Sequence, residues 1–324
     1  MDDRRQTMLI IGGTGSLGHV LVNRFLPDFD IYIYSRDECK QWMMRNRYDS
    51  EHLHFIIGDI SDIDRLRIGL LRSQPDYIII AAALKHIDIC EYNTSQSIKT
   101  NVTGIQNIVD CITRLELPRL KSTLFVSTDK ACDPANVYGM CKALSERVVI
   151  EQSIYSNKTF VIVRYGNVIN SRGSLLPKFH SMGRDNSKTE FTVTCDEMTR
   201  FFMSLEQSVD LISHALFQGH SGRIYIPDID SYKIVDIANE FSKIYDKPVI
   251  FTGIRPGEKM HETLINAMEL RRTVREGEFY VIHSPYENFT GQGVDMKEYN
   301  SFVALTNDLQ KLREIIEITG RDGV

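Results

Sequence analysis

Tyr138 and Lys142 lie four residues apart in YGMCK, so a helix there puts both on one face. An ammonium beside a phenol favours the phenolate. Tyr138 is then a base for a substrate hydroxyl near neutral pH. Just upstream the run LFVSTDKA ends an apolar stretch with Thr128, Asp129 and Lys130. A hydroxyl, a carboxyl and an amine at the C-terminal end of a parallel strand stand where such folds place ligands. A lysine amine serves as a base only when its pKa is depressed, for instance by burial. The plainer use of these three is to cap the strand and its turn.

A second constellation opens the chain. MLII runs into Gly12, Gly13, Thr14, Gly15, Ser16, Leu17 and Gly18, and a helical pattern follows. Glycines there permit a tight turn and close approach of the backbone to a pyrophosphate, which the helix N-terminus receives with free N–H groups. The second apolar run ends at Ser35 and Arg36. An arginine at that point suits the 2′-phosphate of NADP, whereas NAD is held by a carboxylate on the ribose. Arg36 and Ser35 therefore favour NADP. Asp37 keeps NAD open, and Arg36 also reads as a solvated charge. Asp59 and Ile60 follow the third run, where the adenine edge should lie. Ala81, Ala82 and Ala83 follow the fourth, small enough to let the cofactor pass, or simply to pack a helix on the sheet.

The elements that must position these residues alternate. Runs rich in Ile, Val, Phe and Tyr occur at 8–11, 30–35, 53–57, 76–81, 122–127 and 159–165, separated by segments of helical spacing. Strand, helix, strand repeated in this way predicts an α/β fold, a Rossmann-type doubly wound parallel sheet with a smaller C-terminal substrate-binding lobe. Residues 1–165 form the dinucleotide-binding domain and 205–230 return to it. Residues 166–204 and 231–324 form the second lobe, with a helix at Lys233–Tyr245 and an irregular stretch at 275–300. Trp42 and the nearby methionines are expected to pack a helix.

Composition narrows the function. Of 324 residues, 42% are hydrophobic and 25% charged, as in globular proteins, which excludes a disordered chain. The formal charge of −5 argues against a nucleic-acid or polybasic membrane surface. The apolar run Tyr77 to Leu84 suits a buried strand and is too short to cross a bilayer. The N-terminus has no secretory pattern, so a cytoplasmic protein is expected. The six cysteines form no CxxC pair, so thiols in a reducing compartment are expected and no metal site.

Taken together, GGTGSLG, SRDE, AAALKHID, IKTNVTGIQN, STDKA, PANVYGMCK, VRYGNV, EMTRFF and GIRPGEKMHE make the chain resemble the extended short-chain dehydrogenase/reductase family. More narrowly, it is similar to the inverting UDP-N-acetylglucosamine 4,6-dehydratases of surface-polysaccharide synthesis. The resemblance implies that Tyr138 and Lys142 form the hydride-transfer pair and that Thr128 bonds the sugar O4. It makes Asp129 and Lys130 the acid and base of an elimination. The lysine at 130 points to the inverting class, since retaining relatives carry Asp-Glu. It further implies Asn167 and Arg255 at the diphosphate and Glu258 near the uridine ribose. Lys85 and His86 fall near the nicotinamide side, with Lys85 counted for cofactor and substrate alike. Asn101 falls in a helix that brings a polar group to the active centre, fixing the lysine of the pair through water. Lys178 and Arg200 are further cations for a diphosphate, or else form lobe-to-lobe salt bridges. The expected cofactor is NADP, the partner a UDP-sugar, and the assembly a homo-oligomer, dimer or hexamer. A nucleotide-sugar 4-epimerase is the alternative. It shares the Tyr-Lys pair and needs no elimination.

Overall fold

In the computed structural model, which describes residues 4–171, 173–255 and 257–321, the six apolar runs become parallel strands. They are β1 (Gln6–Ile11), β2 (Phe29–Ser35), β3 (Leu53–Ile57), β4 (Tyr77–Ile80), β5 (Ser122–Val126) and β6 (Thr159–Val163), in the spatial order 3-2-1-4-5-6. The order reverses between β1 and β4, and Gly12 and Ala81 follow these two neighbouring strands directly. In an open α/β sheet that crevice is where a ligand binds. Met8, Ile10, Ile33, Ile78, Ile80, Leu124 and Val161 are fully buried, because helices cover both faces of a parallel sheet.

Helices α1 (Ser16–Phe25), α2 (Glu38–Tyr48) and α3 (Ile63–Ser73) follow the first three strands. After β4 come α4 (Ile87–Tyr92), α5 (Thr94–Ile98), a π-helical turn at Lys99–Thr103, and α6 (Gly104–Arg114). α7 (Val137–Tyr155) connects β5 to β6. Within α2, Met44 is buried as expected, but Trp42 and Met43 are more than half exposed. The helix turns only its Gln41–Met44 stripe to the sheet.

The chain then leaves and re-enters the sheet. β7 (Asn167–Val168), α8 (Leu175–Arg184), β8 (Phe191–Val193) and β9 (Thr199–Met203) lie outside it. α9 (Leu205–Gln218) returns, and β10 (Ile224–Pro227) pairs with β6. β11 (Ser231–Lys233), α10 (Ile234–Tyr245), β12 (Val249–Phe251), β13 (Thr263–Ile265) and α11 (Ala267–Leu270) follow. The hairpin β14 (Thr273–Glu276) and β15 (Phe279–Ile282), which the sequence reading assigns to the second lobe and in part to an irregular stretch, extends the main sheet to nine strands. Its strands are short, antiparallel and at an edge, so they lack the long apolar run of a central strand. β16 (Tyr299–Asn300) and α12 (Leu309–Arg321) complete the order. A separate apolar cluster, with Phe179, Phe191, Phe241 and Leu312, forms the core of the second lobe. Among the described residues no helix is long and apolar enough to cross a membrane.

Candidate active site

A cavity of about 670 Å³ runs along the C-terminal edge of the central strands. At one end lies the glycine turn. Gly12 has a φ of +86°, and a Cβ there would stand 2.5 Å from the backbone nitrogen of Ala82. A Cβ on Gly18 would stand 1.8 Å from the carbonyl oxygen of Gly13. These two glycines let the turn and the helix pack on the sheet. At Gly15 such a Cβ would meet only the Gly12 carbonyl oxygen, at an ordinary 3.9 Å, and the residue lines the cavity. Gly15 is also the N-cap of α1; no side chain caps the helix, and its first turn has no acidic residue. Uncapped N–H groups and a positive helix end beside open cavity suit a pyrophosphate. The chain therefore fits a dinucleotide by its own geometry. Thr14, Ser16, Leu17, Ile60, Ala81, Ala82, Ala83 and Lys85 line the same cavity.

At the end of β2, Ser35, Arg36, Asp37 and Lys40 line the cavity. The Ser35 hydroxyl accepts from Gln41 at 2.9 Å. Arg36 is more than half exposed, with Nη1 3.4 Å from Asp59 Oδ2. Asp37 caps α2: Oδ1 accepts from the Lys40 N–H at 3.0 Å and Oδ2 lies 2.7 Å from Lys40 Nζ. Its carboxylate is thus engaged within its own turn. Asp59 is expected at the adenine edge but does not line the cavity; its neighbours Gly58 and Ile60 do. Its Oδ1 accepts from the Ser61 backbone and hydroxyl, both at 2.8 Å, so it stands behind Arg36 as a tether.

The opposite wall is built by the end of β5 and the start of α7. Thr128 caps the short 3₁₀ turn Asp129–Ala131, and its hydroxyl donates to Asp129 Oδ1 at 2.9 Å. Asn136 caps α7 by accepting from the Gly139 N–H at 2.9 Å. A Cβ on Gly139 would stand 2.2 Å from the Lys130 carbonyl oxygen, so glycine is what lets α7 begin directly beneath the turn. Thr128, Lys130, Tyr138 and Lys142 all line the cavity, and Asp129 is fully buried beside it.

The charges there differ from the simple expectation for a Tyr-Lys pair. Burial pushes the Tyr138 phenol up to about 12, Lys130 acting against that shift and Asp129 with it. Burial also pulls the Lys142 amine down to about 7. Lys142 Nζ donates to the Val126 carbonyl at 2.6 Å and lies 4.1 Å from the centre of the Phe125 ring. Glu146, the carboxylate one turn away, is already committed to Arg164 and Ser127. Lys130 departs from expectation in the other direction. Burial acts to lower its pKa, but Asp129 Oδ1 at 3.0 Å and Glu262 Oε1 at 3.5 Å outweigh it, and the net shift is upward. Asp129 is raised, by burial first and by Glu262, against the pull of Lys130.

The remaining expected residues divide. Asn167 lines the cavity, whereas Lys178, Arg200, Arg255 and Glu258 do not. Lys178 is exposed on α8. Arg200 is spent on structure: Nη1 donates to the carbonyls of Thr199 at 2.7 Å and Met260 at 3.1 Å, and Nη2 to Lys259 at 2.9 Å. The Glu258 carboxylate accepts from the Arg255 N–H at 3.2 Å, folding the loop on itself. That loop rests on the catalytic turn, where the Gly257 carbonyl accepts from Asn136 at 3.0 Å and Lys259 donates to the Cys132 carbonyl at 2.8 Å. His86 lines the cavity. Asn101 holds the loop after β4: its side-chain amide accepts from the Leu84 N–H and donates to the Leu84 carbonyl, both at 2.8 Å. Sequence reasoning overlooks Lys40, Tyr165 and Glu262. Glu262 ends the quoted segment GIRPGEKMHE, so its position was in view without a role.

Residues 8–284 match the family described as polysaccharide biosynthesis protein. The chain is 38% identical over 318 residues to the UDP-N-acetylglucosamine 4,6-dehydratase (inverting) of Campylobacter jejuni, covering 96% of this chain and 91% of the relative. It is 35% identical to the UDP-glucose 4-epimerase of Rickettsia bellii, over 86% of this chain and 82% of the relative. The solved structure of Pen from Bacillus thuringiensis superposes with a TM-score of 0.89 at 28% identity, covering 98% of this chain and 99% of that one.

Proposed function

The chain belongs to the polysaccharide biosynthesis protein family, and on that premise we propose that it is an inverting UDP-N-acetylglucosamine 4,6-dehydratase that works with NADP. The observation that carries this reading is the Asp129–Lys130 pair, 3.0 Å apart, buried beside the cavity that Tyr138 and Thr128 share with the glycine turn. A 4-epimerase needs the nicotinamide and a base for the sugar hydroxyl but no acid–base pair for C5 and C6; an acid and an amine beside that base are the equipment of an elimination.

When bound, the nicotinamide supplies an acceptor for the C4 hydride and a donor for C6. Gly15 and the N-terminus of α1 would hold the pyrophosphate, with Gly12 and Gly18 letting the turn pack close enough to present them, and Arg36 with Lys40 would hold the 2′-phosphate. Asp37, engaged as a helix cap, is unsuited to the ribose of NAD. The Tyr138 phenol, protonated at rest, first gives its proton to the Lys142 amine, which burial keeps largely free to accept it. The phenolate then takes the O4 proton as the hydride leaves C4, and the Thr128 hydroxyl bonds O4. The ketone so formed acidifies the hydrogen on C5. Lys130 is an ammonium at rest and becomes a base by passing one proton to Asp129 along their hydrogen bond. That single transfer makes the neutral amine and the protonated carboxyl together. The amine removes the C5 proton while the carboxyl protonates the C6 hydroxyl. The C5–H and C6–O bonds break, water leaves, and the pair returns to ammonium and carboxylate. Protonation of C5 from the opposite face then inverts it.

Incubation with UDP-N-acetylglucosamine in heavy water tests the proposal by product mass and proton spectra. Loss of water with deuterium at C5 is expected. An isomer of unchanged composition would make the protein an epimerase, and absence of turnover with NADP bound would remove it from enzymes of this kind.

A further inference from the structure

Two carboxylates, not one, surround the Lys130 ammonium. Glu262, just before β13, is 3% exposed and places Oε1 3.5 Å from Lys130 Nζ and 3.7 Å from Arg200 Nε. Its other oxygen, Oε2, is buried with no hydrogen-bond partner among the described residues, as is Asp129 Oδ2. Asp129 meets Lys130 through Oδ1, the oxygen on which a proton passed along their hydrogen bond lands, and Glu262 acts on Lys130 through charge more than through hydrogen bonds. We propose that Glu262, balanced by Arg200, is a positioning residue whose charge sets the pH range over which Asp129 and Lys130 hold a single proton between them. This rests on the elimination reading above.

The groups facing the pair are Glu262 from the loop before β13, Arg200 from β9, Tyr138 from α7 and Lys259, whose charge acts on Glu262. The negative charge of Glu262 favours ammonium on Lys130 and opposes ionisation of Asp129, so it raises the pKa of both. The pair is armed only while it holds one proton. Exchange at C5 therefore has an acid limb, where a second proton is gained, and an alkaline limb, where the last is lost.

The test is C5 deuterium exchange into UDP-N-acetylglucosamine as a function of pH, with C4 oxidation followed by the absorbance of reduced nicotinamide. Glu262→Gln is expected to move both limbs to lower pH by about one unit, the size of a nearby charge. Glu262→Asp should leave them near the wild-type position, and Arg200→Gln should move them upward. Cofactor reduction should keep its own profile. Unmoved limbs, or upward movement in Glu262→Gln, would overturn the inference. So would a folded Glu262→Gln variant without exchange at any pH, since a tuning charge changes the pH of exchange and not its existence. If Glu262→Gln does not fold, the direction in Arg200→Gln decides. Failure of the wild-type protein to exchange C5 would instead overturn the dehydratase reading.

Discussion

At the scale of single residues, the site is governed by burial set against the few charges close enough to oppose it. Tyr138 and Lys142 are both buried and shift in opposite directions, the phenol up to about 12 and the amine down to about 7. Lys130 is also buried, yet shifts upward because two carboxylates lie within 3.5 Å. Burial alone would have produced a neutral amine there. On the dehydratase reading proposed above, the pairing stores the proton that the elimination needs. On the NADP reading proposed above, Arg36 is the corresponding single-residue determinant for the cofactor. With Asp37 occupied by Lys40, Arg36→Ala should weaken NADP by about tenfold, the scale of one charge-assisted contact. NAD should change little. Fluorescence titration with both cofactors reads the difference, and equal losses would show that the end of β2 does not sense the phosphate.

At the scale of elements, the site depends on how strand ends are tied down. The loop after β4 crosses the cavity floor and is pinned by a residue of the π-helical turn, since Asn101 satisfies both backbone groups of Leu84. The same turn is fastened to α7 by the Ser145 hydroxyl, which donates to the Asn101 carbonyl at 2.6 Å. Asn101→Ala leaves the Leu84 N–H and carbonyl without those partners and should destabilise the protein by about 1–3 kcal/mol. Urea denaturation measures the loss. Amide exchange should quicken at Leu84 and Lys85 before it does in β1 or β5, and uniform quickening would refute a local role. The resemblance pointed to Asn101 as important, but only the packing of three elements reveals that its side chain clamps a backbone.

At the scale of the whole molecule, one buried ion network joins β6 and α7 to the distant segments β13 and α11. Arg164, 2% exposed at the end of β6, meets Glu146 of α7 at 2.6 Å and Glu269 of α11 at 2.8 Å, and also donates to the Leu264 carbonyl at 2.8 Å. Removing one partner of such a network leaves a buried charge uncompensated. Glu269→Gln should cost about 3 kcal/mol in urea denaturation, and a loss below about 0.5 kcal/mol would show that the network contributes little. The parallel sheet, the glycine turn, the Tyr-Lys face and the Asp129–Lys130 turn were legible in the chain because each is local. Apolar runs, turn glycines and four-residue spacing act over a few residues. The hairpin 273–282, Glu262 beside Lys130, and the tethering of Asp59 behind Arg36 were not. Each depends on which distant segment packs against which, and in a buried site the nearest opposite charge sets both pKa and availability. Sequence determined which groups could do the chemistry; tertiary structure decided which of them hold a proton and which are already spent on holding the protein together.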